Sequence, residues 1–142
     1  MKVIVKDENK MREDIQAKKT SSICIITIAN PEDTRERIET GPEIKGILEL
    51  YFDDVEFSGQ KGLPMTKDDA EKIVKFVKKC QKVDIDELWV CCPQGVARSA
   101  GVAAAISKYL YNDDSDIFNE YCLYPNMYCY KTTLDAFFKK NK

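Results

Sequence analysis

The stretch Leu88-Trp89-Val90-Cys91-Cys92-Pro93-Gln94-Gly95-Val96-Ala97-Arg98-Ser99-Ala100-Gly101 reads as strand, tight loop and helix. Glu87 to Cys91 is a short apolar strand, and Ala100 to Tyr111 is rich in strong helix formers. A loop at a helix N-terminus gathers backbone N–H groups into a concave nest for an anion, here residues Gln94, Gly95, Val96, Ala97 and Arg98. Gly95 lets the chain turn back without a Cβ in the ligand's way. The helix N-terminus and Arg98 both favour a thiolate at Cys92, which makes it the candidate nucleophile. Arg98 offers a rigid fork of donors that matches two oxygens of a phosphate, and the fork can follow them as the phosphoryl group flattens in the transition state. Ser99 is placed to hydrogen-bond the thiolate and assist its departure. Pro93 biases Cys92 to the extended backbone that a strand end requires.

Outward from this stretch, strand-like and helix-like segments alternate, the signature of an α/β layer fold. Met1 to Val5 is a candidate first strand, and Asn9 to Lys19 a weakly amphipathic helix with Met11 and Ile15 four apart. Ser22 to Ile28 is too apolar for an edge and is expected to be buried; Asn30-Pro31 then breaks the pattern. Asp33 to Glu39 is read as a turn or two of helix, and Lys45 to Phe52 as a strand. After a loop from Asp53 to Met65, Thr66 is the expected cap of a helix with Asp68 and Asp69 in its first turn. Its apolar face is Ala70, Ile73, Val74 and Val77, and Lys72, Lys75, Lys78 and Lys79 form its solvated side. Asp114 to Tyr121 is read as a short helix, and Asn126 is the expected cap of a last helix carrying Tyr130, Leu134, Phe137 and Phe138. Lys139, Lys140 and Lys142 suit that helix's C-terminus. Tyr121, Tyr124, Tyr128 and Tyr130 read as an aromatic packing cluster, and Gly46 and Gly101 as close-packing positions.

Composition narrows the function classes. The chain has 142 residues, a formal net charge of -2 and 44% apolar residues, which fits one globular domain over residues 1–142. Near-zero net charge argues against bulk nucleic-acid binding. There is no histidine, so Ser-His-Asp hydrolysis, Cys-His proteolysis and His-ligated zinc are excluded. No cofactor or metal is expected. The longest apolar stretch, Gly101 to Ile106, is far too short for a membrane span, and the opening Met-Lys-Val-Ile-Val-Lys holds too brief an apolar run for a signal peptide. Six cysteines without C-x-x-C spacing fit reduced thiols and a cytoplasmic location.

Cys92-Pro-Gln-Gly-Val-Ala-Arg98-Ser99 resembles the C-x-x-G-x-x-R-S phosphate loop of the cysteine-dependent protein phosphatases. The short chain resembles their dual-specificity branch. Ile47-Leu-Glu-Leu-Tyr-Phe-Asp-Asp54 is similar to that branch's strand and acid loop, and Leu123-Tyr-Pro-Asn126 followed by Leu134 to its closing segment. The resemblance implies a three-layer α/β fold whose mostly parallel sheet has about four to five strands. It implies phosphoric monoester hydrolysis of phosphotyrosine or phosphoserine/threonine in proteins, or of a small phosphate monoester, through a phosphocysteine on Cys92. Such chemistry needs a general acid, and without histidine a carboxylic acid must serve. Asp54 aligns best with the family's aspartate; Asp53 is its competitor.

The sequence departs from that pattern twice. Where the family usually has a histidine before its nucleophile, this chain has Cys91. A bond between adjacent Cys91 and Cys92 would be strained, so Cys91 is read as a small buried residue. Pro93 has no N–H, and a lost donor that faces developing charge costs about 3 kcal/mol of transition-state stabilisation. These departures motivate an alternative: a catalytically weak or inactive module that binds phosphate or phosphoproteins. A redox or sulfur-transfer protein using Cys91 and Cys92 is a third reading.

Overall fold

A computed structural model describes residues 1–17, 21–57, 59–120 and 122–139. The chain runs β1 (Lys2–Asp7), α1 (Glu8–Gln16), β2 (Ile23–Ala29), β3 (Ile44–Tyr51), α2 (Lys67–Val83), β4 (Glu87–Cys92), α3 (Arg98–Tyr111), α4 (Ser115–Phe118) and α5 (Met127–Phe137). The four strands form one parallel sheet in the order β1-β4-β2-β3. That order puts β2 and β4 in the middle. β2 is buried at every position, as its unbroken apolar run predicts.

Period-two alternation divides the strands between two cores. Cys24, Ile26 and Ile28 of β2 and Leu88, Val90 and Cys92 of β4 share a cluster with residues of α2, α3 and α5. Ile23, Ile25, Trp89 and Cys91 join Met11 and Ile15 of α1 and Ile38 in a second cluster. The sheet is thus the middle of three layers, matching the phosphatase-type architecture expected from the sequence.

Helix ends follow local chemistry. Thr66 and Asp69 close a capping box at the start of α2, whose Ala70, Ile73 and Val77 are buried; Val74 is only partly covered. Asn126 caps α5 by accepting the Cys129 amide at 3.0 Å. At Gly101 an added Cβ would lie 2.4 Å from the Asn126 carbonyl oxygen, so the absent side chain is what lets α5 begin against the first turn of α3. At Gly46 the same atom would stand 3.2 Å from the Phe76 ring.

Three expectations need correction. Asp33 to Glu39 is not helical. Arg12 of α1 donates to the carbonyl oxygens of Glu36 (2.9 Å) and Arg37 (3.4 Å) and Ile38 is buried, so tertiary contacts hold the segment against α1 without regular secondary structure. The short helix is only Ser115–Phe118. The tyrosines divide: Tyr130 stacks edge-on to Phe118 at 5.2 Å and donates to Asp114, whereas Tyr124 is 75% exposed. The expected continuation of the first helix to Lys19, together with Tyr121, Lys140 and Lys142, lies outside the described residues. No helix among the described residues is long and apolar enough to cross a membrane.

Candidate active site

β4 ends at Cys92, α3 begins at Arg98, and the five residues between them form a loop at the C-terminal rim of the sheet. Gly95 sits at φ +64°, in the left-handed region. An added Cβ there would lie 2.5 Å from the Asp7 nitrogen and 2.8 Å from the Lys6 carbonyl carbon, so the loop is pressed onto the end of β1. On its other side the Val96 carbonyl accepts the Tyr124 amide at 3.0 Å and the Ala97 carbonyl accepts the Asn126 amide at 2.9 Å. Because peptides are planar and trans, the N–H groups of Ala97 and Arg98 point away from that contact. No acceptor among the described residues meets the amides of Gln94, Gly95, Val96 and Ala97. α3, unlike α2 and α5, has no side-chain cap, so its first-turn donors and its dipole are available to an anion.

Cys92 and Ser99 are buried beneath this loop, with Sγ and Oγ 3.0 Å apart. Arg98 is buried as well. Its Nη1 donates to the Asn30 side-chain oxygen and to the Phe52 carbonyl, each at 2.7 Å. Both anchors lie just beyond the C-terminal ends of the neighbouring strands β2 and β3. They fix one arm of the guanidinium and leave its remaining N–H donors for another acceptor. Asn30 is oriented in turn by donating to Asp33 at 2.9 Å. Sequence reading took Asn30 only as a breaker. Its position directly after a wholly buried strand was the available signal, since ligands gather at strand C-termini in α/β sheets.

The two acid candidates have different surroundings. Asp53 is tied into its own loop: its carboxylate accepts the Leu63 amide at 2.8 Å, and its amide donates to the Leu63 carbonyl at 2.7 Å. Asp54 is exposed, and its Oδ1 accepts the Asn126 side-chain amide at 2.7 Å. Asn126 therefore connects Asp54, the cap of α5 and the outer side of the 92–98 loop. Gln94 at the loop's crest is exposed.

Cys91 is fully buried on the α1 side of the sheet, while Cys92 belongs to the opposite core. Burial pushes the Cys91 thiol up, with the neighbouring Cys92 adding to it. All six cysteines are free. Among the described residues no cluster of three or more acidic or cysteine side chains is grouped to hold a metal ion.

No protein-family model matches the sequence, and no curated protein does either. Solved structures do match the fold. PTPMT1 superposes with a TM-score of 0.60 at 19% identity, covering 97% of this chain and 90% of its own. The human tyrosine phosphatase-like serine/threonine/tyrosine-interacting protein gives 0.60 at 16% identity, with 90% and 82% covered. Human DUSP28 gives 0.61 at 10% identity, with 94% and 90% covered. The fold is that of the tyrosine and dual-specificity phosphatases. At these identities the likeness is one of architecture, and the chemistry has to be argued from the residues at the rim.

Proposed function

We propose that the chain is a cysteine-dependent phosphoric monoester hydrolase acting on phosphorylated protein side chains. The observation that carries this reading is the convergence beneath one loop: Cys92 bonded to Ser99, Arg98 pinned by one arm, and the amides of Gln94–Ala97 without an acceptor among the described residues. A phosphate dianion supplies the acceptors that these donors need.

In the reaction, the Cys92 thiolate attacks phosphorus in line with the ester oxygen. Arg98 and the loop amides hold the three non-bridging oxygens and take up the developing charge. Asp54 gives its proton to the departing alcohol, and Asn126 holds the other end of its carboxyl group. Water then attacks the phosphocysteine with Asp54 as base. Ser99 hydrogen-bonds Sγ as the S–P bond breaks and stabilises the departing thiolate, so that inorganic phosphate leaves with the Cys92 thiolate and the protonated Asp54 regenerated for the next cycle. No metal or cofactor enters this scheme.

Hydrolysis of p-nitrophenyl phosphate tests it. Wild type is expected to turn over, and Cys92→Ser to lose turnover while still binding phosphate. Absence of turnover by pure wild type at any pH from 5 to 8 would refute the reading. It would favour the second one, a phosphate-binding module, for which Pro93 is the specific support: the loop has one N–H fewer at the residue after the sulfur. One structural relative is itself described as phosphatase-like and interacting. PTPMT1 has been solved with PI(5)P, so a phosphoinositide headgroup belongs beside phosphopeptides in the substrate panel.

A further inference from the structure

Beside the phosphate loop, the same rim holds a second cleft of about 450 Å³, lined among others by Pro93, Arg12, Arg35, Glu8, Asp33 and Glu36. Arg35 is its unusual member. Its side chain is 5% exposed, and its Nε and Nη1 are buried with no hydrogen-bond acceptor among the described residues. The nearest carboxylate oxygen, Glu8 Oε1, stands 3.8 Å from Nε, beyond hydrogen-bond reach. That oxygen already receives Arg12 Nη2 at 3.3 Å. Arg12 is further committed to the carbonyls of Glu36 and Arg37. The Tyr51 ring, 5.1 Å from the Arg35 guanidinium carbon, gives cation–π contact but no acceptor.

A buried guanidinium with unmet donors is costly, and a ligand that brings an acceptor recovers part of that cost. Pro93, the residue next to Cys92, lines the cleft, so a peptide whose phosphate sits in the loop can extend its flank into it. The charge of the walls selects the occupant. Two arginines face the carboxylates of Glu8, Asp33 and Glu36, with Asp33 already accepting from Asn30. With three carboxylates against two arginines the walls are net negative and oppose a second phosphate, which carries nearly two charges; a single acceptor is favoured only at Arg35, the guanidinium left without a hydrogen bond once Arg12 has taken Glu8.

Resting on the phosphatase reading above, we propose that Arg35 determines specificity. It receives the carboxylate of an acidic side chain that flanks the phosphorylated residue of a peptide substrate.

The test compares phosphopeptides carrying Glu or Gln at each flanking position. For the best-placed position, wild type is expected to show a KM about tenfold lower with Glu than with Gln, at equal kcat. Arg35→Met is expected to abolish that ratio and leave the Gln peptide unchanged. Arg35→Lys, which keeps the charge without the fork, retains part of it. The proposal is overturned if no position gives a ratio, if the ratio survives in Arg35→Met, or if phosphoserine at that position gains more than Glu. Turnover of p-nitrophenyl phosphate in the same preparations separates the two ideas: its absence counts against the phosphatase reading. In that event the Glu and Gln peptides are compared by fluorescence anisotropy on Cys92→Ser. Equal affinity there, or no binding of either, overturns the role of Arg35 independently.

Discussion

Asp53 accepts the Leu63 amide within its own loop, whereas Asp54 accepts the side-chain amide of Asn126 beside the 92–98 loop. The adjacent carboxylates are therefore separable by mutation. Asp54→Asn should lower kcat on an alkyl phosphate by about 100-fold or more, and by less on p-nitrophenyl phosphate, whose leaving group needs little protonation. Asp53→Asn should loosen residues 53–65 and leave the two substrates equally affected. The ratio of the two rates in each variant is the measurement. At this scale the sequence displayed Cys92, Arg98 and Ser99 because one short segment holds them. It concealed Asn30, whose bond to Arg98 joins residues 68 apart in the chain and depends on β2 lying beside β4.

Among the elements, the ones with strong local signals were legible. The all-apolar β2, the Thr66–Asp69 box and the Asn126 cap each carry their reason within a few residues. The segment from Asp33 to Glu39 was not legible, because what holds it is remote in the chain: Arg12 of α1 takes the Glu36 and Arg37 carbonyls, and Ile38 packs into the core on the α1 side. The loop between β4 and α3 is likewise shaped from outside, by the end of β1. Gly95→Ala should lower unfolding free energy by about 1–3 kcal/mol, since the new Cβ meets Asp7 and Lys6 backbone at a positive φ. Chemical denaturation against wild type checks this.

Across the whole molecule, the parallel direction of all four strands brings their C-terminal ends to one rim, and the candidate site stands there. The unbroken apolar run of β2 was legible as a buried strand; the strand order arises from long-range pairing that no local pattern encodes. The layer over the α1 face contains a charged joint. Lys6 of β1 lies 4.0 Å over the Trp89 ring and is ion-paired with Asp14 of α1, which Lys10 also approaches at 3.3 Å. Burial alone would raise the Asp14 carboxyl, but hydrogen bonds and attraction from Lys6 and Lys10 outweigh it and hold the group below its ordinary 3.8. A depressed carboxyl stabilises the fold above about pH 4, and that contribution disappears as pH falls through the folded-state value. Melting temperature should therefore drop more steeply below pH 4 in wild type than in Asp14→Asn. Equal slopes would count against the coupling.

The side-by-side cysteines of β4 lead to a last consequence. Their sulfurs project to opposite faces of the sheet, into separate cores. A trivalent arsenical closes a ring through two thiols and finds no such chelate at positions 91 and 92 while the strand is intact. Once urea releases the strand, the neighbours can turn together and the ring can form. Mass-detected arsenic capture on the tryptic fragment would thus act as a clock for opening of the central sheet.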